Sequence, residues 1–257
     1  MSENNAAVTT QILEKTPRRR TSDALVALVV YNEGLRVEAV LQKLMQVSTC
    51  CDVVVIDDGS TDETAELISL HDFSIIRHSH NLGVGLSIKD AIRFGIDREY
   101  SVIATMAGNG KMDPLQIPKL LEPLKSGISD YVQGSRYLEG GRHENLPLFR
   151  NAMIHVMTWM VRLLTGFRGT DVTCGFRAYS LALFSNPEID IWQSWLDRYE
   201  LEYYIHYKVI TLNYRVQEVP VSMVYPTDGR PYSKIRPFSG WWSMVRPLVL
   251  LSLNIRR

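Results

Sequence analysis

Asp52-Val53-Val54-Val55-Ile56-Asp57-Asp58-Gly59-Ser60-Thr61-Asp62-Glu63-Thr64 decides the fold. An apolar, β-branched run closed by two acids and a glycine reads as a buried strand ending in a polar loop. Ser60, with Glu63 three residues later, reads as a capping box that opens a helix carrying Ala65, Leu67 and Ile68. Upstream, Leu25 to Val30 is a second apolar run, and Val37, Val40, Leu41, Leu44 and Val47 make a helical stripe between the two. That is a βαβ unit. Phe73 to His78 and Ser101 to Met106 continue the alternation downstream. The pattern predicts an α/β fold: a Rossmann-like mixed, mostly parallel sheet with helices on both faces.

Such sheets bind ligands beyond the carboxyl ends of their strands, where loops and helix N-termini gather. The polar residues fall there: Tyr31-Asn32-Glu33 after the first strand, Asp57-Asp58 after the second, His80-Asn81-Leu82-Gly83 after the third, and Gly108-Asn109-Gly110-Lys111 after the fourth. Four loops should converge on one cleft. The chain has 257 residues, 46% of them hydrophobic, enough for a core without disulfides or metals. Basic and acidic residues balance at 28 each, so no global field favours nucleic acid. Cys50, Cys51 and Cys174 have neither zinc-ligand spacing nor an even count, which fits a reducing, cytoplasmic location. Residues 1–22 are polar and lack the apolar stretch of a signal peptide, and read as a disordered tail. No run reaches the roughly 20 apolar residues that span a bilayer.

The four loops resemble those of family 2 glycosyltransferases. Val30-Tyr31-Asn32-Glu33 resembles "PxYNE", and Ile56 to Thr64 resembles "VDDGSxDxT". Asn81-Leu82-Gly83-Val84-Gly85 is similar to "NxGKG", with Val84 in place of lysine. Gly134-Ser135-Arg136-Tyr137 resembles the "GSRY" of the dolichol-phosphate mannosyltransferase branch, Asp171 to Arg177 its "DxTSGFR", Glu218-Val219-Pro220-Val221 its "EVPI", and Ser233-Lys234 its "SK" loop. The resemblance implies a GT-A domain over residues 23–236 that binds a nucleotide sugar, GDP- or UDP-linked, and transfers the sugar with inversion. It places Tyr31, Glu33, Asp57, Asp58, Gly83, Gly108 and Asn109 at the donor, an aromatic to stack on the base and carboxylates to accept its N–H groups. Ser135, Arg136, Arg150 and Arg177 suit phosphate oxygens, because guanidinium forks bind them with charge-assisted pairs. Ser233 and Lys234 join the acceptor side.

The departure from the family lies after the fourth strand. Members carry Asp-x-Asp in the context "DADGQHDP", whose carboxylates hold Mg²⁺ or Mn²⁺ against the donor diphosphate. This chain reads Ala107-Gly108-Asn109-Gly110-Lys111-Met112-Asp113-Pro114. Ala107 ligates nothing, Asn109 is at most a weak neutral donor, and Lys111 brings an ammonium. Asp113, before Pro114, reads as a helix N-cap. No required metal is therefore expected, with Lys111, Arg136 and Arg177 supplying positive charge during transfer.

Two apolar segments concern the acceptor. Leu148 to Leu164 reads either as the lining of a greasy channel or as a core helix. Residues 237–257, with Trp241, Trp242, Arg246, Arg256 and Arg257, read as an amphipathic segment for a membrane interface, for docking on the catalytic domain, or for a homodimer. A polyprenyl phosphate acceptor needs no general base, whereas a soluble hydroxyl acceptor would need one, and the resemblance to the family's acidic position before the last strand implies Glu202 for it. The rival readings are a catalytically silent nucleotide-sugar-binding subunit and, more distantly, a nucleotidyltransferase.

Overall fold

The computed structural model describes residues 10–13, 20–227 and 239–256. Ser233 and Lys234 lie outside them. The first βαβ unit forms as β2 (Ala24–Val30), α1 (Arg36–Val47) and β3 (Asp52–Asp57), followed by α2 (Thr64–Leu70), β4 (Ser74–His78), α3 (Val84–Asp97) and β5 (Val102–Ala107). The second half adds α4 (Ile117–Lys125), β6 (Tyr131–Ser135), β7 (Arg142–Glu144), α5 (Leu148–Thr165), β8 (Arg177–Ser180), α6 (Glu200–Thr211), β9 (Val216–Pro220), β10 (Ser222–Val224) and α7 (Ser239–Ser252). A strand β1 (Thr10–Leu13) precedes them all and pairs antiparallel with β4, so the stretch expected to be a disordered tail contributes an edge strand.

The eight-stranded sheet runs β1-β4-β3-β2-β5-β8-β6-β9. Neighbours β4, β3, β2 and β5 are parallel, and β8 inserts antiparallel between β5 and β6. Because side chains alternate along a strand, Val26, Leu28 and Val30 face α1 and α4 on one side while Leu25 and Ala27 face α3 and α6 on the other. Both faces are covered, which is why β2 reads as an unbroken apolar run. Register places Val30 opposite Asp57 and Val29 opposite Ala107, so the loops after β2, β3 and β5 start level with one another.

Local chemistry departs from expectation at α2. Its first turn is not closed by a capping box: Asp62 accepts the Thr64 N–H (3.0 Å), while the Ser60 hydroxyl accepts the Asn32 N–H (3.1 Å). The N-cap expected at Asp113 does form, its carboxylate accepting from Leu115 N–H ahead of a short 3₁₀ turn. The C-terminal helix packs on the domain. Met244 and Leu248 of α7 are buried in a third apolar cluster with Met157 and Val161 of α5 and Tyr203 of α6.

Candidate active site

The loops after β2 and β3 are laced together by short polar side chains. Asn32, at a positive φ of 49°, accepts the Thr61 N–H (2.8 Å), and the buried Thr64 hydroxyl accepts both Glu33 N–H (2.9 Å) and Gly34 N–H (2.8 Å). This leaves Tyr31 half-buried at the rim and Glu33 buried. The two acids expected to meet a base are already engaged. Asp57 takes Arg77 Nε (2.9 Å) and Ser60 N–H (2.9 Å). Asp58 accepts from Asn81 Nδ2 (2.8 Å), Leu82 N–H (2.8 Å) and Gly83 N–H (3.0 Å), and meets His78 Nδ1 at 2.8 Å. These bonds hold the loop after β4 against the end of β3.

His78 is fully buried between Asp58 and Asp90, the latter 3.0 Å from Nε2. Burial disfavours the charged ring, but hydrogen bonds and charges from the two carboxylates outweigh it and raise its pKa to about 9. The folded value lies above the unfolded one, so the stabilisation is complete below about pH 6.5 and is lost as pH rises through about 9. Urea unfolding should show roughly 3 kcal/mol less stability at pH 10 than at pH 6 from this group. The difference should vanish in His78→Gln; an equal slope in parent and variant would exclude the imidazolium.

The glycines of the loop after β4 serve close approach. Gly83 adopts φ 112°, and a Cβ there would lie 2.4 Å from the Asp197 carbonyl oxygen; at Gly85 it would lie 2.1 Å from that of Leu196. The segment 194–198 is thereby pressed against the start of α3, secured by Leu86 N–H to Asp197 O (3.0 Å) and by the buried Lys89 to Asp197 (2.5 Å). Gly108 has the same function, since a Cβ would meet Val30 Cγ1 at 2.5 Å. Gly83 and Gly108, expected at the donor, thus also permit close packing of the loops that frame the cleft. Gly85→Ala should destabilise by about 2 to 3 kcal/mol, the cost of overpacking against backbone that cannot move aside. A chemical-denaturation midpoint equal to the parent's would contradict this.

After β5 the chain turns on Asn109, whose side-chain oxygen accepts the Lys111 N–H (3.3 Å). Val224 N–H then binds the Lys111 carbonyl (3.0 Å), and Met112 bridges Met223. This pins the loop to β10 and brings Tyr225 beside Lys111. Sequence reasoning assigned Tyr225 nothing, because it sits in no motif, yet it is the hub of the site. Lys111 Nζ lies 5.7 Å and Arg150 Cζ 5.8 Å from its ring centre, and its hydroxyl accepts from Arg136. Lys111 is buried, and burial first, then the charges of Arg150 and Arg136, lower its pKa to about 7 against the opposing pull of Glu33. The like charges make this end of the cleft electropositive. Among the described residues no group of three His, Cys, Asp or Glu is placed to hold a metal ion. With Ala107 inert, the Asn109 oxygen on its own loop and an ammonium at position 111, this loop does not fit one.

The remaining expected residues separate by depth. Arg136 is buried and grips Asp171 bidentately (2.6 and 2.7 Å), with Thr173 at 2.7 Å. Arg177, only 1% exposed, donates to the Cys174, Glu202 and Val172 carbonyls (2.9, 2.5 and 3.0 Å) and lies 3.4 Å from the Glu202 carboxylate. Ser135 is buried, bonded to Thr170 (2.6 Å) and accepting Tyr137 N–H (3.1 Å). Arg177 and Ser135 thus organise the floor of the cleft through these bonds. Among the described residues, half-buried Arg150 and buried Lys111 bring cations to the cleft, with Arg136 behind them. Glu218, quoted above only as part of a motif, accepts Thr170 N–H (2.8 Å) and Asp171 N–H (3.0 Å) and so aims the acid that aims Arg136.

This arrangement, a mostly parallel sheet with a cluster of cations at its strand ends, has matches among known proteins. The family model described as Glycosyl transferase family 2 matches residues 25–186. The chain belongs to that family. An undecaprenyl-phosphate mannosyltransferase of Micrococcus luteus is 29% identical over 208 residues, covering 78% of this chain and 83% of that protein. A polyprenol monophosphomannose synthase of Mycolicibacterium smegmatis is 27% identical over 210 residues, covering 79% and 78%. Among solved structures, glucosyl-3-phosphoglycerate synthase of Mycobacterium tuberculosis in complex with Mn²⁺, UDP and glucosyl-3-phosphoglycerate superposes with a TM-score of 0.61 at 16% identity, covering 93% of this chain and 81% of that one. At that identity the likeness concerns the fold, which is GT-A. This glycosyltransferase thus shares the architecture of an enzyme crystallised with Mn²⁺ while its own β5 loop lacks the carboxylates to hold the ion.

Proposed function

We propose that this glycosyltransferase moves a sugar from a nucleoside-diphosphate sugar to a polyprenyl phosphate, with inversion, and does so without a divalent cation. The observation that carries the reading is the cluster of Lys111, Arg150 and Arg136 around Tyr225 at the end of β5. A donor diphosphate placed there meets fixed positive charge in a site largely shielded from water, where such charge acts strongly and needs no reorganisation. An acceptor phosphate oxygen attacks the anomeric carbon from the face opposite the diphosphate. The new C–O bond forms as the old one breaks, and its electron pair leaves with the nucleoside diphosphate. An ionised phosphate has no proton to lose, so no general base enters.

The relatives named for undecaprenyl phosphate and polyprenol support the lipid-phosphate acceptor. The nucleoside would lie between Tyr31 and the Asn81-Leu82-Gly83 loop, with Asp58 acting through that loop. Glu202 remains the candidate base for a hydroxyl acceptor; its carboxylate faces Arg177 and the bare Gly175. The test is transfer from radiolabelled GDP- and UDP-sugars to a short-chain polyprenyl phosphate in detergent with excess EDTA. Lipid-linked product is expected. Nucleotide-sugar binding without product would assign a silent subunit, and product only on adding Mg²⁺ or Mn²⁺ would reject the metal-free mechanism.

A further inference from the structure

Glu200, at the start of α6, is only 6% exposed, and among the described residues its Oε2 is buried without a hydrogen-bond partner. Its Oε1 lies 3.8 Å from Arg246 Nη1 of α7, an ion pair too long for a hydrogen bond. Burying a carboxylate oxygen unpaired costs free energy, so its retention calls for a donor from outside the chain. The side chain lines a groove of about 310 Å³, at the small end of ligand pockets, which run from about 300 to 1,000 Å³. Leu82, Trp195, Arg198 and Arg246 line it too. Trp195 is held in place: its Nε1 donates to Gln193 Oε1 (2.9 Å), its ring meets Tyr204 edge-on at 6.0 Å, and Arg246 Cζ lies 5.8 Å from its centre.

The charges of the groove balance. Asp197, held by Lys89 at 2.5 Å, and Glu200 stand against Arg198 and Arg246, so neither an anion nor a cation is favoured. A neutral polyol fits, because its hydroxyls donate to Glu200 and accept from the guanidinium groups while its C–H face packs on the indole. We infer that this groove is a saccharide site in which Glu200, Arg246 and Trp195 recognise sugar hydroxyls. Apart from Leu82, its lining residues lie beyond residue 186, where the family match ends, so the groove is a means by which this chain selects its own sugar. Glu202, two residues on, turns instead to Arg177. Two residues connect the groove with the cleft: Leu82 belongs to the loop after β4, and Tyr199 feels the charges of both Arg150 and Arg198. In the proposed reaction the groove takes the transferred sugar by hydroxyls remote from the anomeric carbon, and that step rests on the nucleotide-sugar reading.

Calorimetry with GDP- and UDP-linked sugars, beside GDP and UDP alone, tests the site. Glu200→Leu should bind the nucleotide sugar at least about tenfold more weakly, the effect of a lost hydrogen bond to a charged group, and the bare nucleotide within about twofold of the parent. Arg246→Met, altered at a partly exposed position, should separate the two ligands in the same direction. The urea midpoint of Glu200→Leu should hold or rise, because the variant removes an unpaired buried oxygen. Saturation-transfer NMR with methyl mannoside, methyl glucoside and methyl N-acetylglucosaminide reads the groove without a nucleotide. Equal weakening of sugar-linked and bare nucleotide, weakening of neither, or glycoside signals that survive Glu200→Leu unchanged overturns the inference. Glycoside signals that Glu200→Leu abolishes, in a protein that binds no nucleotide sugar, uphold the saccharide site and count against the proposed function alone. A parent that binds neither glycoside nor nucleotide sugar overturns both.

Discussion

Lys111→Gln should lower kcat/KM for the nucleotide sugar by about 10²- to 10³-fold, the range seen when one preorganised group that stabilises leaving-group charge is removed. The melting temperature should hold or rise, because the variant takes a costly buried ammonium away from Arg150 and Arg136. A coupled loss of activity and stability would mean that the residue is structural. Back-substitution of the whole loop sharpens the test. Ala107→Asp/Asn109→Asp/Lys111→Gln restores the family's carboxylates, and its activity should become dependent on Mn²⁺ while the parent's stays insensitive to EDTA. Strict metal dependence in the parent, with Lys111→Gln equally active, would sink the mechanism.

Asp171→Ala should cost about 3 to 5 kcal/mol of stability, because it strands the buried Arg136 guanidinium. Asp171 is fully buried, holds that guanidinium at two nitrogens, and also accepts Thr173 N–H (3.3 Å) and Thr173 Oγ1 (3.2 Å). Arg136→Met/Asp171→Leu, which removes both charges, should recover much of the loss, since replacing a buried pair by apolar groups is often nearly neutral. The same double variant should still lack activity if Arg136 backs the charge at Tyr225. Equilibrium urea unfolding and initial rates separate the two effects. A single Asp171→Ala variant within about 1 kcal/mol of the parent would show the pair to be better solvated than its burial implies.

The sequence by itself determined the alternation of strands and helices from Leu25 to Met106, the loops gathered at the strand ends and the missing carboxylates of the β5 loop. Each is a local property. Alternating apolar runs fix strands and helices wherever the chain goes, and a residue type that cannot ligate a metal cannot do so in any fold. The cap at Asp113 was legible for the same reason, since its partner is two residues away. Only the tertiary structure decided which polar groups remain for a ligand. Asp58 is spent on residues 20 to 25 positions away, and Arg136 on one 35 away. Arg177 is drawn under the floor by the Glu202 carbonyl, and Tyr225 reaches Arg136 across 89 residues. A carboxylate or guanidinium looks equally available in every motif, because hydrogen-bond valence is consumed by partners that spacing along the chain does not reveal. Helix α5 was ambiguous for a related reason: apolar residues lie on nearly all its sides, and only the packing of α6 and α7 against one of them left the opposite face exposed.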